Sequence, residues 1–371
     1  MKTLKLRIKD KHANQLNKLA GAVNFVWNYV NDLSFKHLQR TNHFFSAYDI
    51  AAYVKGSGEL LNMHSQTLQA ITETHAKSRK QFKKAKLNWR TNNPKSKRKS
   101  LGWIPFKKAA IKYLGVKKVG KKALKSTIQF SLAKGKKLTI DVWDSYNLAL
   151  YTINTCELVQ NSRGHLYACI TIKEYPKIEC GTGETGIDLG CRDSATTSNG
   201  EVLKTKVTQQ YAKKLGIAQR AKNKQRVKAI HAKIKNTRQD LIHKFTTNLT
   251  KTNKIIIIGK LQSKSFTRGK LGKSVYDAGW FEIKRQLTYK CENAGCYYDE
   301  VNESYTTQTC SCCGSRQNSP KGRANLGIRE WLCECGVTHD RDINAAKNIL
   351  ALGLERLVVG IPHFREGRKS N

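Results

Sequence analysis

Between Cys310 and Leu350 the chain reads CSCCG, then GIREWLCECG, then HDRDINAAKNIL, and these residue types at this spacing can do chemistry. Cys310 and Cys313 form one thiolate pair, and Cys333 and Cys335 a second, tighter one. Two such pairs separated by a basic, glycine-containing excursion suit one tetrahedral ion. Thiolates select zinc over the hard magnesium ion, and a closed site of four cysteines is structural because no coordination position is left for a substrate. Cys312 lies between the first two ligands and is a spare. The segment is too polar and glycine-rich to need cysteine as core filler.

Carboxylates stand beside this knuckle and elsewhere. Asp340 and Asp342 open an alanine-rich helix, and Asp188 ends the apolar strand GIDLG. A buried strand rarely carries an acid at its carboxyl end unless something positive sits there. Hydrolysis of a phosphodiester with two magnesium ions needs acids from several elements converging on ions about 4 Å apart. Asp188 and Asp342 are candidates for that role. Taken singly, each favours a plainer reading, Asp342 as the cap of the helix from Asn344 to Leu350 and Asp188 as a turn acid.

The elements that must position these groups follow from periodicity. A short alternating strand (Leu4, Leu6, Ile8) precedes an amphipathic helix with Leu16, Leu19, Val23, Val26, Val30 and Leu33 on one face. A second helix carries Leu68, Ile71, His75 and Phe82, with His75 read as a packing residue. Residues 90 to 125 are basic and broken by Gly and Pro, which predicts loops and short strands. Strands are predicted at Ser126–Leu132, Lys137–Val142, Leu148–Thr155 and His165–Lys173, forming a small barrel or sheet. Its aromatics Trp103, Phe106, Tyr113 and Trp143, interleaved with Lys, suit either a nucleic-acid platform or a structural sheet.

A composition shift at Gly181–Glu184 marks a boundary, after which the pattern is α/β. It runs from strand Gly186–Leu189 through a hairpin (SATTSNGE) to a long basic helical region from Lys206 to Leu249. Strand Ile255–Ile258, a helix over Ala278–Ala294 and strand Tyr297–Val301 follow. Strands separated by helices predict a mostly parallel sheet with functional groups at the strands' carboxyl ends.

Composition narrows the partners. The chain has 371 residues, 39% hydrophobic, enough to bury a core in two or three domains. Lys and Arg number 68 against 27 Asp and Glu, a net charge of +41 spread along most of the chain, which favours nucleic acid as partner. The eleven cysteines are odd in number, and six are scattered singly. With no signal peptide in MKTLKLRIKDKH and no apolar run near the ~20 residues of a membrane span, a reducing cytoplasm and one zinc site are expected, with no membrane association.

Together GIDLG, LGWIPF, KIKNTRQDLIHK, YTTQTCSCCG, GIREWLCECG and HDRDINAAKNIL resemble, in order through nearly the whole chain, the TnpB proteins of insertion sequences, compact RNA-guided nucleases related to type V CRISPR effectors. The resemblance implies an RNase H-like RuvC domain, an α/β fold with an inserted zinc ribbon, preceded by a wedge β-barrel interrupted by a helical recognition lobe. In residue ranges this gives a first wedge strand at 1–10, the lobe at 11–88, the barrel at 89–180, RuvC at 181–304, the ribbon at 305–338 and the rest of RuvC with a tail at 339–371. It implies a guide RNA from the chain's own mobile element, target double-stranded DNA recognised beside a short motif, structural Zn2+, catalytic Mg2+, and a monomer associated with a prokaryotic nucleoid. Sequence reading is delegated to base pairing.

One member of the RuvC acid triad is missing. Where the family has a glutamate after the second apolar strand, this chain has Gly259 in IIIIGKL. Topology names a substitute. In the RNase H-like sheet that the resemblance implies, the strand ending at Gly259 lies between the first strand and Tyr297–Val301, all three parallel, and neighbouring strands are ~4.8 Å apart, about the reach of a glutamate. Glu303, just past the last of them, can lean into the vacated place, so the expected site is Asp188, Glu303 and Asp342. Asp277 and Glu282 lie on the helix side of the connection, and Asp340 is read as structural. The alternatives are a nuclease-inactive RNA-guided repressor and a transposase acting without RNA. Lys233, Lys235, Arg238 and Lys244 on the basic helix are expected to face nucleic acid, and Ser65, Gln66 and Gln69 fall where the resemblance puts reading of the target-adjacent motif, Gln being suited to adenine.

Overall fold

The computed structural model describes residues 2–93, 95–96, 99–119, 123–173, 179–261, 272–321 and 327–358, and the chain divides into two compact units, Met1–Pro176 and Lys177–Asn371. No helix among the described residues is long and apolar enough to cross a membrane.

In the first unit, alternation in KTLKLRI makes β1 (Lys2–Ile8), which buries Leu4, Leu6 and Ile8. Helix α1 (Ala13–Thr41) buries Leu16, Leu19, Val23, Val26 and Val30 along the predicted face. Helix α2 (Ala47–Val54) starts at a capping box between Ser46 and Asp49, the short α3 (Gly58–Leu61) follows, and α4 (Ser65–Phe82) packs on α1. There His75 is fully buried, with Nε2 3.2 Å from Asn31 Oδ1 and its ring edge-on to Trp27. Burial pushes its pKa down to about 4, so it is a neutral packing residue, as the sequence predicts.

The strands β2 (Trp103–Lys107), β3 (Ile111–Val119), β4 (Ala123–Ser131), β5 (Lys137–Asp144), β6 (Ile153–Gln160) and β7 (Leu166–Ile172) join β1 in one antiparallel sheet, order β2-β6-β7-β1-β5-β4-β3. Only the turn Lys108–Ala110 separates β2 from β3, yet they form opposite edges. The sheet must therefore curl on itself, and Phe106 of β2 meets Phe130 of β4 at 4.4 Å between ring centroids. It is a half-barrel: among the described residues its two edges do not pair, so the expected barrel is open. Two further expectations need correction. Residues 111–119 form a nine-residue strand laddered to β4, because the backbone pairing is indifferent to the exposed lysines that masked it. Leu148–Leu150 is a 3-10 turn, because the Asp144 carboxylate accepts the Tyr146 and Leu148 amides and ends the strand there.

The second unit begins with β8 (Gly183–Asp188), β9 (Ala195–Thr197) and β10 (Val202–Leu203), the last two being the predicted hairpin. The basic helical region is two helices, α5 (Val207–Arg220) and α6 (Lys224–Thr252), separated at Lys222, whose φ is 50°, with Asn223 capping α6. Then come β11 (Asn253–Gly259), α7 (Gly272–Ala278), α8 (Trp280–Ala294), β12 (Tyr297–Val301), the hairpin β13 (Glu330–Leu332) and β14 (Thr338–Asp340), and α9 (Arg341–Val358). The sheet order is β10-β9-β8-β11-β12, with β8, β11 and β12 parallel.

Alternation along β11 divides its side chains between two layers. Ile256 and Ile258 pack with Ile242, Phe245, Ile283 and Leu287 of α6 and α8, whereas Ile257 packs with Ile349 of α9. Helix α9 lies so close to β8 that a Cβ on Gly186 would overlap the carbonyl oxygen of Ala346. Gly353 likewise faces the side chain of Ile257. Gly186→Ala is therefore expected to destabilise the protein by about 1–3 kcal/mol, the usual penalty of overpacking, read as a lower urea midpoint. An unchanged midpoint would mean that α9 does not rest on the sheet at that glycine.

Candidate active site

The same alternation decides which acids meet. Ile187 belongs to the α6/α8 layer and Gly186 faces α9, so Asp188, the last residue of β8, projects toward α9. Ile258 pairs with Ile187 and Gly259 with Val301, which brings Asp188, Gly259 and the end of β12 level at one sheet edge. Asp342 is the second residue of α9. It does not cap that helix: Asp340 does, its Oδ1 accepting the amides of Asp342 at 3.0 Å and Ile343 at 2.9 Å. Glu303, two residues beyond β12, turns back to Gly259, and a Cβ built on that glycine would overlap Glu303 Oε2. The carboxylate thus occupies the space that a side chain at position 259 would take.

These acids repel one another. Burial, and then the charges of Asp342 and Glu303, push Asp188 up to about 8. Burial raises Glu303 against the attraction of Lys284. Burial also raises Asp342, opposed chiefly by Arg329. Arg329 Nη1 lies 2.6 Å from Asp342 Oδ2, while Glu303 Oε2 is buried with no hydrogen-bond partner among the described residues. A buried acid oxygen without a donor, beside two more acids, is a donor set for a hard cation. Among the described residues only the cysteines below, and not these carboxylates, bring their ligand atoms within 4.8 Å of one another, and Asp342 is bonded to Arg329.

Cys310, Cys313, Cys333 and Cys335 bring their sulfurs within 4.8 Å of one another. The Cys310–Cys335 and Cys313–Cys333 separations are 3.8 and 3.6 Å, against about 3.8 Å for the edges of a tetrahedron with zinc–sulfur bonds of about 2.3 Å. The residues fit zinc, and Cys312 is exposed outside the set, its amide donating to Cys310 Sγ. Burial raises the Cys310 thiol, but the Cys313 and Cys312 amides and His339, whose Nε2 is 2.9 Å away, bring it down to about 6. His339 is held against Trp331 at 4.8 Å between rings.

The proposed nucleic-acid residues are dispersed. Ser65 and Gln66 form the first turn of α4, capped by His64, and Ser65 and Gln69 line a cavity of about 780 Å³ walled by Val54, Met63 and Leu68. Gln66 Oε1 is buried without a partner among the described residues. Lys233, Lys235 and Lys244 are exposed on α6, Lys233 over the Tyr211 ring and Lys244 paired with Asp240. Arg238 instead points inward, donating to Tyr276 O at 2.5 Å and Asp277 at 3.2 Å, which accounts for Asp277 as well. Glu282 is taken up by Arg285 and Gln286. Sequence reasoning missed Arg329, because a single arginine in GIREW carries no signal until the hairpin folds onto α9.

Residues 280–349 match the family described as Cas12f1-like, TNB domain. A putative RNA-guided DNA endonuclease of Streptomyces pristinaespiralis is 34% identical over 194 residues, 48% of this chain and 47% of that protein. The putative RNA-guided DNA endonuclease InsQ of Escherichia coli (strain K12) is 31% identical over 205 residues, 47% of this chain and 50% of that protein. The chain thus spans about half the length of the curated relatives it matches. A Cas12f1 chain solved in complex with sgRNA and target DNA has the same fold, with a TM-score of 0.61 at 14% identity over 92% of this chain and 83% of that one. The likeness to TnpB proteins and compact type V effectors, read from the sequence, is borne out.

Two measurements probe the donor sets. Purified protein should carry one zinc ion per chain by elemental analysis, and Cys333→Ser should lose it and unfold the ribbon. Full occupancy in that variant would remove Cys333 from the set. The raised pKa of Asp188 makes its contribution to stability largest below the unfolded value of about 4 and lost as pH rises through about 8, because the folded form holds its proton over that window. Asp188→Asn should therefore raise the Tm of magnesium-free protein at pH 8.5, and millimolar Mg2+ should stabilise the native protein but not the variant. Equal Mg2+ shifts in both would separate Asp188 from the cation site.

Proposed function

We propose, taking the TnpB likeness as the premise, that this chain is an RNA-guided DNA endonuclease with a rearranged RuvC site made of Asp188, Glu303 and Asp342. The single observation that carries the reading is Glu303: its carboxylate fills the space beside Gly259 that the family's glutamate would use. A chain drifting toward a pure binding protein has no reason to keep three mutually repelling acids together. The crowding of Asp188 suits a cation-dependent role, since bound positive charge would let a carboxyl that otherwise holds its proton ionise.

On this reading unit 2 is the RuvC domain with its zinc ribbon at 305–338, and unit 1 comprises the wedge sheet and, at 11–88, a helical lobe. The +41 net charge suits a guide RNA and target DNA held by their backbones, with affinity falling steeply in salt. Bound at the acids, magnesium ions would stabilise the attacking and leaving oxygens of phosphodiester hydrolysis. The chain's own part is to hold the acids at one sheet edge, with Asp340 capping the helix of Asp342 and Arg329 orienting its carboxylate. Exposed Lys233, Lys235 and Lys244 suit backbone contact, and Ser65, Gln66 and Gln69 suit reading of the target-adjacent motif.

The absence of a side chain at Gly259 keeps one alternative open, a guide-dependent repressor that binds without cutting. A plasmid-cleavage assay with guide RNA and Mg2+ separates the two. Glu303→Ala is expected to lower cutting by more than about 100-fold, since losing even an outer-shell partner costs about 10- to 100-fold. Returning the acid to the strand, as Gly259→Glu with Glu303→Ala, should restore part of it. Cutting untouched by Glu303→Ala removes that residue from the site, and tight binding with no cutting under any divalent ion favours the repressor.

A further inference from the structure

An acid at the end of a sheet strand inherits the rigidity of the ladder. Glu303 has no such support, because it lies beyond β12 at the start of a run of turns, residues 304–308. Within that run Thr306 Oγ1 donates to Glu303 O at 2.9 Å, and the Gln308 and Thr309 amides both donate to Tyr305 O at 2.9 Å. Tyr305 itself has a φ of 66°, a left-handed conformation that bulky residues seldom adopt without being held.

What holds the turn is α9. Asn348 Nδ2 donates to Thr306 O at 2.8 Å and Thr309 O at 2.7 Å. Asn344 Nδ2 donates to the same two carbonyls at 3.3 and 2.8 Å, and its Oδ1 accepts the amide of Ser311, beside the first cysteine, at 2.8 Å. Four residues apart, the two asparagines stack on one helix face, on the same helix that carries Asp342. Asn344 is buried at 1% exposure, so its bonds are sheltered from water.

We propose that Asn344 and Asn348 are positioning residues for Glu303: they fasten its turn to the helix of Asp342 and replace the strand ladder that would fix an acid at position 259. The proposal rests on the reading of Glu303 as a cation ligand. It separates these asparagines from ordinary packing residues, because their importance depends on where the third acid is attached.

Mn2+ binding to the full chain, followed by electron paramagnetic resonance, tests this without requiring cleavage. Asn348 is the residue to change, since Asn344 keeps the turn attached. Asn348→Ala should weaken Mn2+ binding about tenfold in the native background, the lower end of the effect of an outer-shell partner, with zinc content unchanged. In the Gly259→Glu, Glu303→Ala background the same change should alter Mn2+ affinity less than twofold. If Asn348→Ala loses zinc, Asn348→Ser, which keeps a hydroxyl donor, should bind Mn2+ with intermediate affinity. No loss in the native background, or an equal loss in both, overturns the proposal. Mn2+ binding that obeys this pattern in a protein that never cuts would sustain the clamp while ending the nuclease reading. Mn2+ affinity indifferent to Glu303→Ala would end the assignment of Glu303 and the clamp with it.

Discussion

The second unit depends on how closely α9 approaches the sheet. At Gly186 the helix backbone rests directly on β8, and at Gly353 it rests on Ile257. Glycine is required by the close contact itself, since a methyl group at 186 would strike the Ala346 carbonyl and one at 353 the Ile257 side chain. With the helix at this depth, its second residue, Asp342, comes near Asp188, and Ile349 completes the layer against Ile257 and Val301. A looser helix would separate Asp342 from Asp188 and weaken the charge that Asp342 exerts on it.

That geometry sets packing against electrostatics. Burial raises the pKa of all three carboxyls, the charges of Asp342 and Glu303 raise Asp188 further, and carboxyls so placed oppose folding when ionised. The protein offsets this locally with Arg329 on Asp342 and Lys284 near Glu303. On the proposed reading, exchanging a strand-borne glutamate for Gly259 and Glu303 keeps the number of acids at the edge and changes only their attachment. A rigid attachment is traded for one that relies on side-chain amides.

The cysteine ribbon lies in the chain between Glu303 and Asp342. Its first ligand follows the turn of Glu303, and its hairpin partner strand, β14, runs straight into α9. Ser311 is bonded to Asn344, and Arg329, at the start of the hairpin, reaches Asp342. A zinc ion held by this closed cysteine set would therefore still bear on the candidate site, because both flanks of the cysteine segment carry an acid.

Much was legible in the sequence because it is local. Alternation disclosed β1, helical spacing disclosed the buried face of α1, and the two thiolate pairs named the four cysteines that do converge. The βαβ pattern gave a parallel sheet, and the family resemblance gave its strand order and from it the meeting of Glu303 with Gly259. Charge and turn chemistry hid other features: lysines masked β3, and the Asp144 turn delayed β6. The inward turn of Arg238, the pairing of Arg329 with Asp342, and the two asparagines on one carbonyl pair are contacts between residues distant in the chain. Periodicity and spacing carry no term for such contacts, so only the tertiary structure decided which basic and amide side chains serve the acids.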